Sequence, residues 1–192
     1  MKQVLLVDNY DSFTFNLYHS LEKNDNVKVT VVRNDRIINL NTSGFDKIVL
    51  SPGPGVPLSA GDLLAFIEKH YQHKSILGVC LGHQAIGQFF GAEMKALPQV
   101  LHGIQLETRL LPNSKLFKDL PETIYTGHYH SWVLNENNFP SNLAITAYNK
   151  EGGIMAFEHQ TYDICGIQFH PESVLTPQGD LILSNWLNNK FV

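Results

Sequence analysis

The sequence predicts a single α/β domain over residues 1–192, with a largely parallel central sheet flanked by helices and extended by antiparallel strands. Three observations lead there. Short apolar runs rich in Val, Ile and Leu alternate with stretches whose apolar residues recur at helical spacing, the signature of a mostly parallel sheet. A chain of 192 residues with 43% hydrophobic content is long enough for one sizeable core and too short for two ordinary enzyme domains. No internal repeat, low-complexity tract or linker interrupts it.

In order, Val4–Val7 reads as a first strand, and Phe13, Leu17 and Leu21 then share one helical face. Val27–Val32 and Lys47–Leu50 are the next strands, followed by a helix carrying Leu63, Leu64, Phe66 and Ile67. Ile76–Val79 is a short buried strand, after which Leu81, Ala85, Ile86, Phe89 and Phe90 lie on one helical face. From Gln99 to Phe157 the pattern changes to short apolar segments separated by Pro, Asn and Gly, which implies antiparallel strands and loops on the same sheet. Ile164–Phe169 is the last strand, and a helix from Asp180 to Asn189 directs Leu181, Ile182, Trp186 and Leu187 inward.

The net charge of −4 and the scattered Lys and Arg leave no basic stripe, which argues against nucleic acid as a partner. Cys80 and Cys165 make no disulfide framework, and the opening MKQVLLVDNYD turns polar after four apolar residues. The expectation is a cytoplasmic protein with no signal peptide and no membrane span.

The chemistry gathers at strand ends. Gly78-Val79-Cys80-Leu81-Gly82 joins a strand to a helix, and the small flanking residues permit the tight turn of a nucleophile elbow with cysteine in place of serine. Such a turn pushes Cys80 into solvent at a helix N-terminus, where free amide hydrogens and the helix dipole favour thiolate over thiol. A buried structural cysteine is the competing reading, and the glycines weigh against it. Ser51–Gly55 (SPGPG) and His170 follow two other strands, and ligands bind beyond the carboxyl ends of parallel strands. In His170-Pro171-Glu172 the proline biases the chain toward extended geometry, where residues two apart point to one side, so that Glu172 can orient the His170 imidazole. Cys80, His170 and Glu172 then have the roles of nucleophile, base and orienting carboxylate. The amides of Gly53 and Gly55, in a loop stiffened by Pro52 and Pro54, and the amide of Leu81 are candidate donors to an oxyanion; a plain turn is the alternative. His128 and His130 face one way on a strand, but without a completing cluster they read as structural, and Cys165 as core.

GVCLGHQ, QFHPES and SPGPG together resemble the class I (triad) glutamine amidotransferases. DNYDSFTFNL at Asp8–Leu17, HGI at His102 and YHS at Tyr129–Ser131 narrow the resemblance to the glutaminase subunits of anthranilate synthase and aminodeoxychorismate synthase, over nearly the whole chain. The resemblance implies a flavodoxin-like sheet of the class I type, with Cys80, His170 and Glu172 as a triad that hydrolyses L-glutamine through a thioester. It implies Gly53 and Leu81 as the oxyanion hole, and Gly53, Pro54, Gly55, Gln84, Ser131 and Trp132 around the substrate. It also implies no metal or cofactor in this chain, and a chorismate-binding synthase partner that itself uses Mg. A stand-alone cysteine hydrolase and a non-catalytic module are the other readings; the intact triad opposes the second, and Gln84 with DNYDSFT the first. The sequence departs from the family pattern at His128 for arginine, Ile104 for lysine, Trp132 for leucine, Ala156 for glycine and Glu158 for arginine.

Overall fold

The computed structural model describes residues 1–112 and 114–189. In chain order the elements are β1 (Lys2–Asp8), α1 (Thr14–Glu22), β2 (Val27–Arg33), β3 (Lys47–Leu50), a 3-10 turn (Pro57–Ser59), α2 (Leu63–His70), β4 (Ser75–Val79) and α3 (Leu81–Phe89). They continue as β5 (Met94–Leu110), β6 (Thr123–Leu134), β7 (Leu143–Asn149), β8 (Ile154–His159), β9 (Ile164–Ile167) and α4 (Gly179–Asn188). One nine-stranded sheet runs β2-β1-β3-β4-β9-β8-β7-β5-β6. Its first five strands are parallel and the other four join antiparallel.

The two-residue period of a strand builds a core on each face. Val4 and Leu6 of β1 pack with Leu17 and Leu21 of α1 and Trp186 of α4. Leu5 and Val7 turn to the other face, where they join Leu63, Phe66 and Ile67 of α2 and Ile86 of α3. β1 lies between β2 and β3, and β3 and β4 are buried along their whole length. That position accounts for unbroken apolar runs in place of alternation.

Helix α3 is set directly on the strand ends because glycines let backbones meet. A Cβ on Gly82 would lie 2.3 Å from the Leu50 carbonyl oxygen, and one on Gly78 2.4 Å from the Gly82 carbonyl carbon. Any larger side chain would lift the helix N-terminus off the sheet.

Four expectations are corrected. The stretch from Gln99 to Phe157 is not made only of short segments: β5 has 17 residues and β6 has 12. Pro98 and Gly103 sit at register shifts, between Ala96 and Leu101 and between His102 and Ile104, so they bulge the strand without ending it. The last strand stops at Ile167, and Gln168 and Phe169 bend away. Phe90 lies past α3 as its C-cap. Leu181 is 39% exposed, because the buried arc of α4 runs through Ile182, Leu183, Trp186 and Leu187 and Leu181 falls just outside it.

Candidate active site

The loops after β1, β3 and β4 and the chain after β9 converge at the carboxyl edge. Asp8, at the end of β1, accepts hydrogen bonds on one carboxylate oxygen from the Tyr10 and Asp11 amides and the Thr14 hydroxyl, which fixes the turn into α1. Asn9 donates its amide to Ser51 Oγ and its side-chain Nδ2 to the Ser51 carbonyl, at 2.9 and 2.8 Å, and so ties the SPGPG loop to β1. Gly53 is held between Asn9 and Leu81. A Cβ there would stand 2.6 Å from both Asn9 Cβ and Leu81 Cδ2, so only glycine fits.

Cys80 is the N-cap of α3 with φ 51° and ψ −101°, a region that costs a non-glycine residue on the order of 1–3 kcal/mol. Its amide donates to the Ile167 carbonyl at 2.8 Å, and its carbonyl accepts from the Gln84 amide at 3.0 Å. The sharp elbow is therefore present. Its side chain does not stand in open solvent, however: Cys80 is 5% exposed and lines a cavity whose wall includes Val100, Tyr129 and Trp132 of β5 and β6.

His170 is anchored by its amide on the Gly127 carbonyl and by its own carbonyl, which accepts from Thr176 Oγ1 at 2.6 Å. Phe13 and Tyr129 meet its ring edge to face, with centroids 5.6 and 5.0 Å away. His170 Nδ1 and Glu172 Oε1 lie 2.7 Å apart, both side chains fully enclosed. Glu172 reaches the ring through a turn, closed by the Ser173 amide on the His170 carbonyl, and not along the extended segment that the proline suggested. His170 Nε2 makes no hydrogen bond among the described residues, and the ring shares a cavity with Cys80. Burial, the largest single influence, disfavours the imidazolium. The negative charge of Cys80, with the hydrogen bond and charge of Glu172, opposes it, and the His170 pKa lies well above the usual value.

A cavity of about 170 Å³ gathers Gly53, Pro54, Gly55, Cys80, Gln84, Ser131 and Trp132 along its wall. An adjoining cavity of about 460 Å³, which also reaches Cys80, is lined by Asp11, Phe13, His102, Tyr129 and His170. Two larger cavities of about 680 Å³ lie away from this edge and contain none of the expected site residues. Every substrate-side residue singled out in the sequence thus meets at one cavity, and Leu81 opens α3 directly after Cys80.

Sequence reasoning missed Gln168, which is fully buried and donates Nε2 to Cys80 Sγ at 3.6 Å. The available signal was a lone amide in the apolar run Ile164–Phe169, since a buried polar side chain requires partners. It also missed Thr176, which bonds both the His170 carbonyl and the Gly127 amide. His128 and His130 do share a face: their Nδ1 and Nε2 are 3.0 Å apart, and Thr126 Oγ1 closes the other side of His128 at 2.9 Å. Burial above all lowers their pKa values to about 3 and about 4. No group of three or more His, Cys, Asp or Glu among the described residues could hold a metal ion. Cys165 is fully buried, and burial pushes its thiol up.

A cysteine on a strand-to-helix elbow, beside an enclosed histidine–glutamate pair at the carboxyl edge of an α/β sheet, is the arrangement that thiol-dependent acyl transfer requires. The chain belongs to the class-I glutamine amidotransferase family, whose model matches residues 5–190. It is 42% identical over 192 residues to anthranilate synthase component 2 of Cyanophora paradoxa, covering 96% of this chain and 98% of the other. It is 41% identical over 187 residues to aminodeoxychorismate synthase component 2 of Klebsiella aerogenes, covering 96% and 99%. The solved structure of a candidate GMP synthase protein from Thermoplasma acidophilum superposes with a TM-score of 0.85 at 27% identity, over 97% of this chain and 92% of that one. No helix among the described residues is long and apolar enough to cross a membrane.

Proposed function

We propose that this chain is a glutaminase subunit that hydrolyses L-glutamine and delivers the ammonia to a chorismate-using synthase, with anthranilate as that synthase's product. The observation that carries the reading is the Cys80–His170–Glu172 constellation: His170 lines a cavity of about 460 Å³, and Cys80 lines both it and the adjoining cavity of about 170 Å³. That volume is below the roughly 300–1,000 Å³ of drug-sized sites and suits a single amino acid. The raised pKa of His170 supports an imidazolium at the site of the nucleophile.

The Cys80 thiolate attacks the side-chain carboxamide carbon of glutamine, and the developing oxyanion is met by the backbone amides of Gly53 and Leu81. His170 gives its Nε2 proton to the leaving nitrogen, so the C–N bond breaks and ammonia departs, leaving a γ-glutamyl thioester. Water then adds with His170 as base, the C–S bond breaks, and glutamate and thiolate are regenerated. Glu172 holds the ring. Gln84, Ser131 and Trp132 form the wall that receives the amino-acid end of the substrate. This chemistry needs no cofactor in this chain, and any Mg requirement belongs to the synthase.

The partner reading draws on the relatives: two proteins named as second components of chorismate-pathway synthases match over nearly the whole chain. The Klebsiella relative supports 4-amino-4-deoxychorismate as the second reading of the product. The test measures glutamate release by the chain alone and with each candidate synthase. Weak release alone, strong release with a synthase, and loss of glutamine but not ammonia use by the pair carrying Cys80→Ala are expected. Full turnover in isolation, unchanged by either synthase, rejects the coupled reading in favour of a stand-alone hydrolase.

A further inference from the structure

Gln168 belongs to a chain of hydrogen bonds whose direction is fixed from one end. The Trp132 carbonyl can only accept, so Gln84 must present its Nε2, which donates to it at 2.7 Å. The second hydrogen of the same nitrogen goes to Gln168 at 3.1 Å, so Gln168 must present its Oε1. Its Nε2 is then left toward Cys80 Sγ, at 3.6 Å. A flipped Gln168 amide would set two donors against each other at Gln84 and a lone-pair oxygen against the sulfur. The orientation therefore follows from the Trp132 peptide and does not rest on an arbitrary choice of amide atoms.

Among the described residues nothing else accounts for an amide at this position. Gln168 is fully buried, and its backbone is already tied to β8 through its amide on the Met155 carbonyl at 2.8 Å. Burying a primary amide is costly unless its groups are paired, and here the side-chain partners are Gln84 and the nucleophile. Gln84 and Trp132 both line the cavity in which glutamine is placed. We infer that Gln168 is a positioning residue for Cys80: its amide donates to the thiolate, and through Gln84 it links the sulfur to the Trp132 peptide of the substrate-holding segment. An N–H donor is worth more to an ionised acceptor than to a neutral one, so the contact favours the charged nucleophile. A shift of the Ser131–Trp132 backbone when substrate seats is passed along two amides to the sulfur. The inference rests on Cys80 as the nucleophile of the proposed reaction.

The test is alkylation of Cys80 by iodoacetamide as a function of pH, because the uncharged reagent reports the thiolate fraction and requires no glutamine turnover. In Gln168→Leu the midpoint should move up by roughly one pH unit, the size of one charge-assisted hydrogen bond. With the synthase present, kcat should fall about tenfold and KM for glutamine should stay within about twofold, the mark of an interaction made to the nucleophile and not to the substrate. Gln84→Leu should move the midpoint the same way by less, and should raise KM. A folded Gln168→Leu with an unshifted alkylation profile overturns the inference. If that variant fails to fold, the unaltered protein decides: the side-chain amide proton resonances of Gln168 should shift when Cys80 is alkylated, and resonances indifferent to the state of the sulfur overturn it. Absence of glutamine turnover in the unaltered protein would reject the glutaminase reading while leaving the alkylation profile to judge Gln168.

Discussion

Lowering the pH should destabilise this fold steeply through histidines that are buried neutral. His83 and His128 are fully buried and His130 nearly so, and burial is the first cause that lowers their pKa values to about 3, about 3 and about 4. In the unfolded chain each binds a proton near the ordinary value of about 6.5. The folded pKa values are depressed, so the unfolded state binds more protons below about pH 6.5 and stability falls as the pH falls toward the folded values. Each histidine then costs up to about 1.4 kcal/mol per pH unit, or about 2 kcal/mol between neutrality and about pH 5. Together they remove about 6 kcal/mol, against a total stability on the order of 5–15 kcal/mol. His70 and His159 act in the same direction. Asp11 and Glu158, whose carboxyls burial raises, offset a part. His170 has the opposite sign: its folded pKa is raised, so its stabilisation is full below about 6.5 and is lost only as the pH climbs through the folded value. With a urea slope of about 2 kcal/mol/M, the unfolding midpoint should fall by about 2–3 M between about pH 7.5 and about pH 5. His83→Leu should shrink that pH increment by about a third, whatever it does to stability at neutral pH. A midpoint that moves by less than about 0.5 M would refute the reasoning.

A glutamine-like chloroketone should label Cys80 stoichiometrically and spare the enclosed Cys165, and peptide mapping that put the label on Cys165 would reject the assignment of the nucleophile. Gly53→Ala forces a methyl to 2.6 Å from Asn9 Cβ and Leu81 Cδ2. It should cost about 100-fold or more in kcat, as loss of an oxyanion donor does, and about 1–3 kcal/mol of stability; kinetics within about threefold of the unaltered protein would exclude Gly53 from the oxyanion site. His170→Ala should lose about 100- to 10,000-fold in glutamine turnover with the synthase present, and near-normal rates would remove it as the base. In Glu172→Gln the His170 imidazolium loses one of its supports, so the alkaline limb of the kcat/KM profile should move to lower pH; an unmoved limb would show that Glu172 does not act on the ring.

The parallel half of the sheet was legible because strands buried on both sides read as near-continuous apolar runs, as β3 and β4 do after their first residues, Lys47 and Ser75. The positions of Cys80 and SPGPG at strand ends followed from the same runs, whereas His170 lies three residues beyond the end of β9. The long β5–β6 hairpin was not legible: Pro98 and Gly103 look like strand breakers locally, and only pairing with β6 turns them into bulges. Glu172 meets His170 as expected but by a different backbone path, since a turn held by Ser173 and Thr176 overrides the local bias of Pro171. The sequence by itself determined which residues could carry the chemistry, because a cysteine between glycines at a strand end and a histidine two residues from a glutamate are local features. Only the tertiary structure decided that Cys80 is covered, that Gln168 reaches it, and that one cavity collects residues 53–55, 84 and 131–132. The Gln168–Cys80 contact spans 88 residues, and such distances depend on how two halves of a sheet pack, which no local pattern encodes.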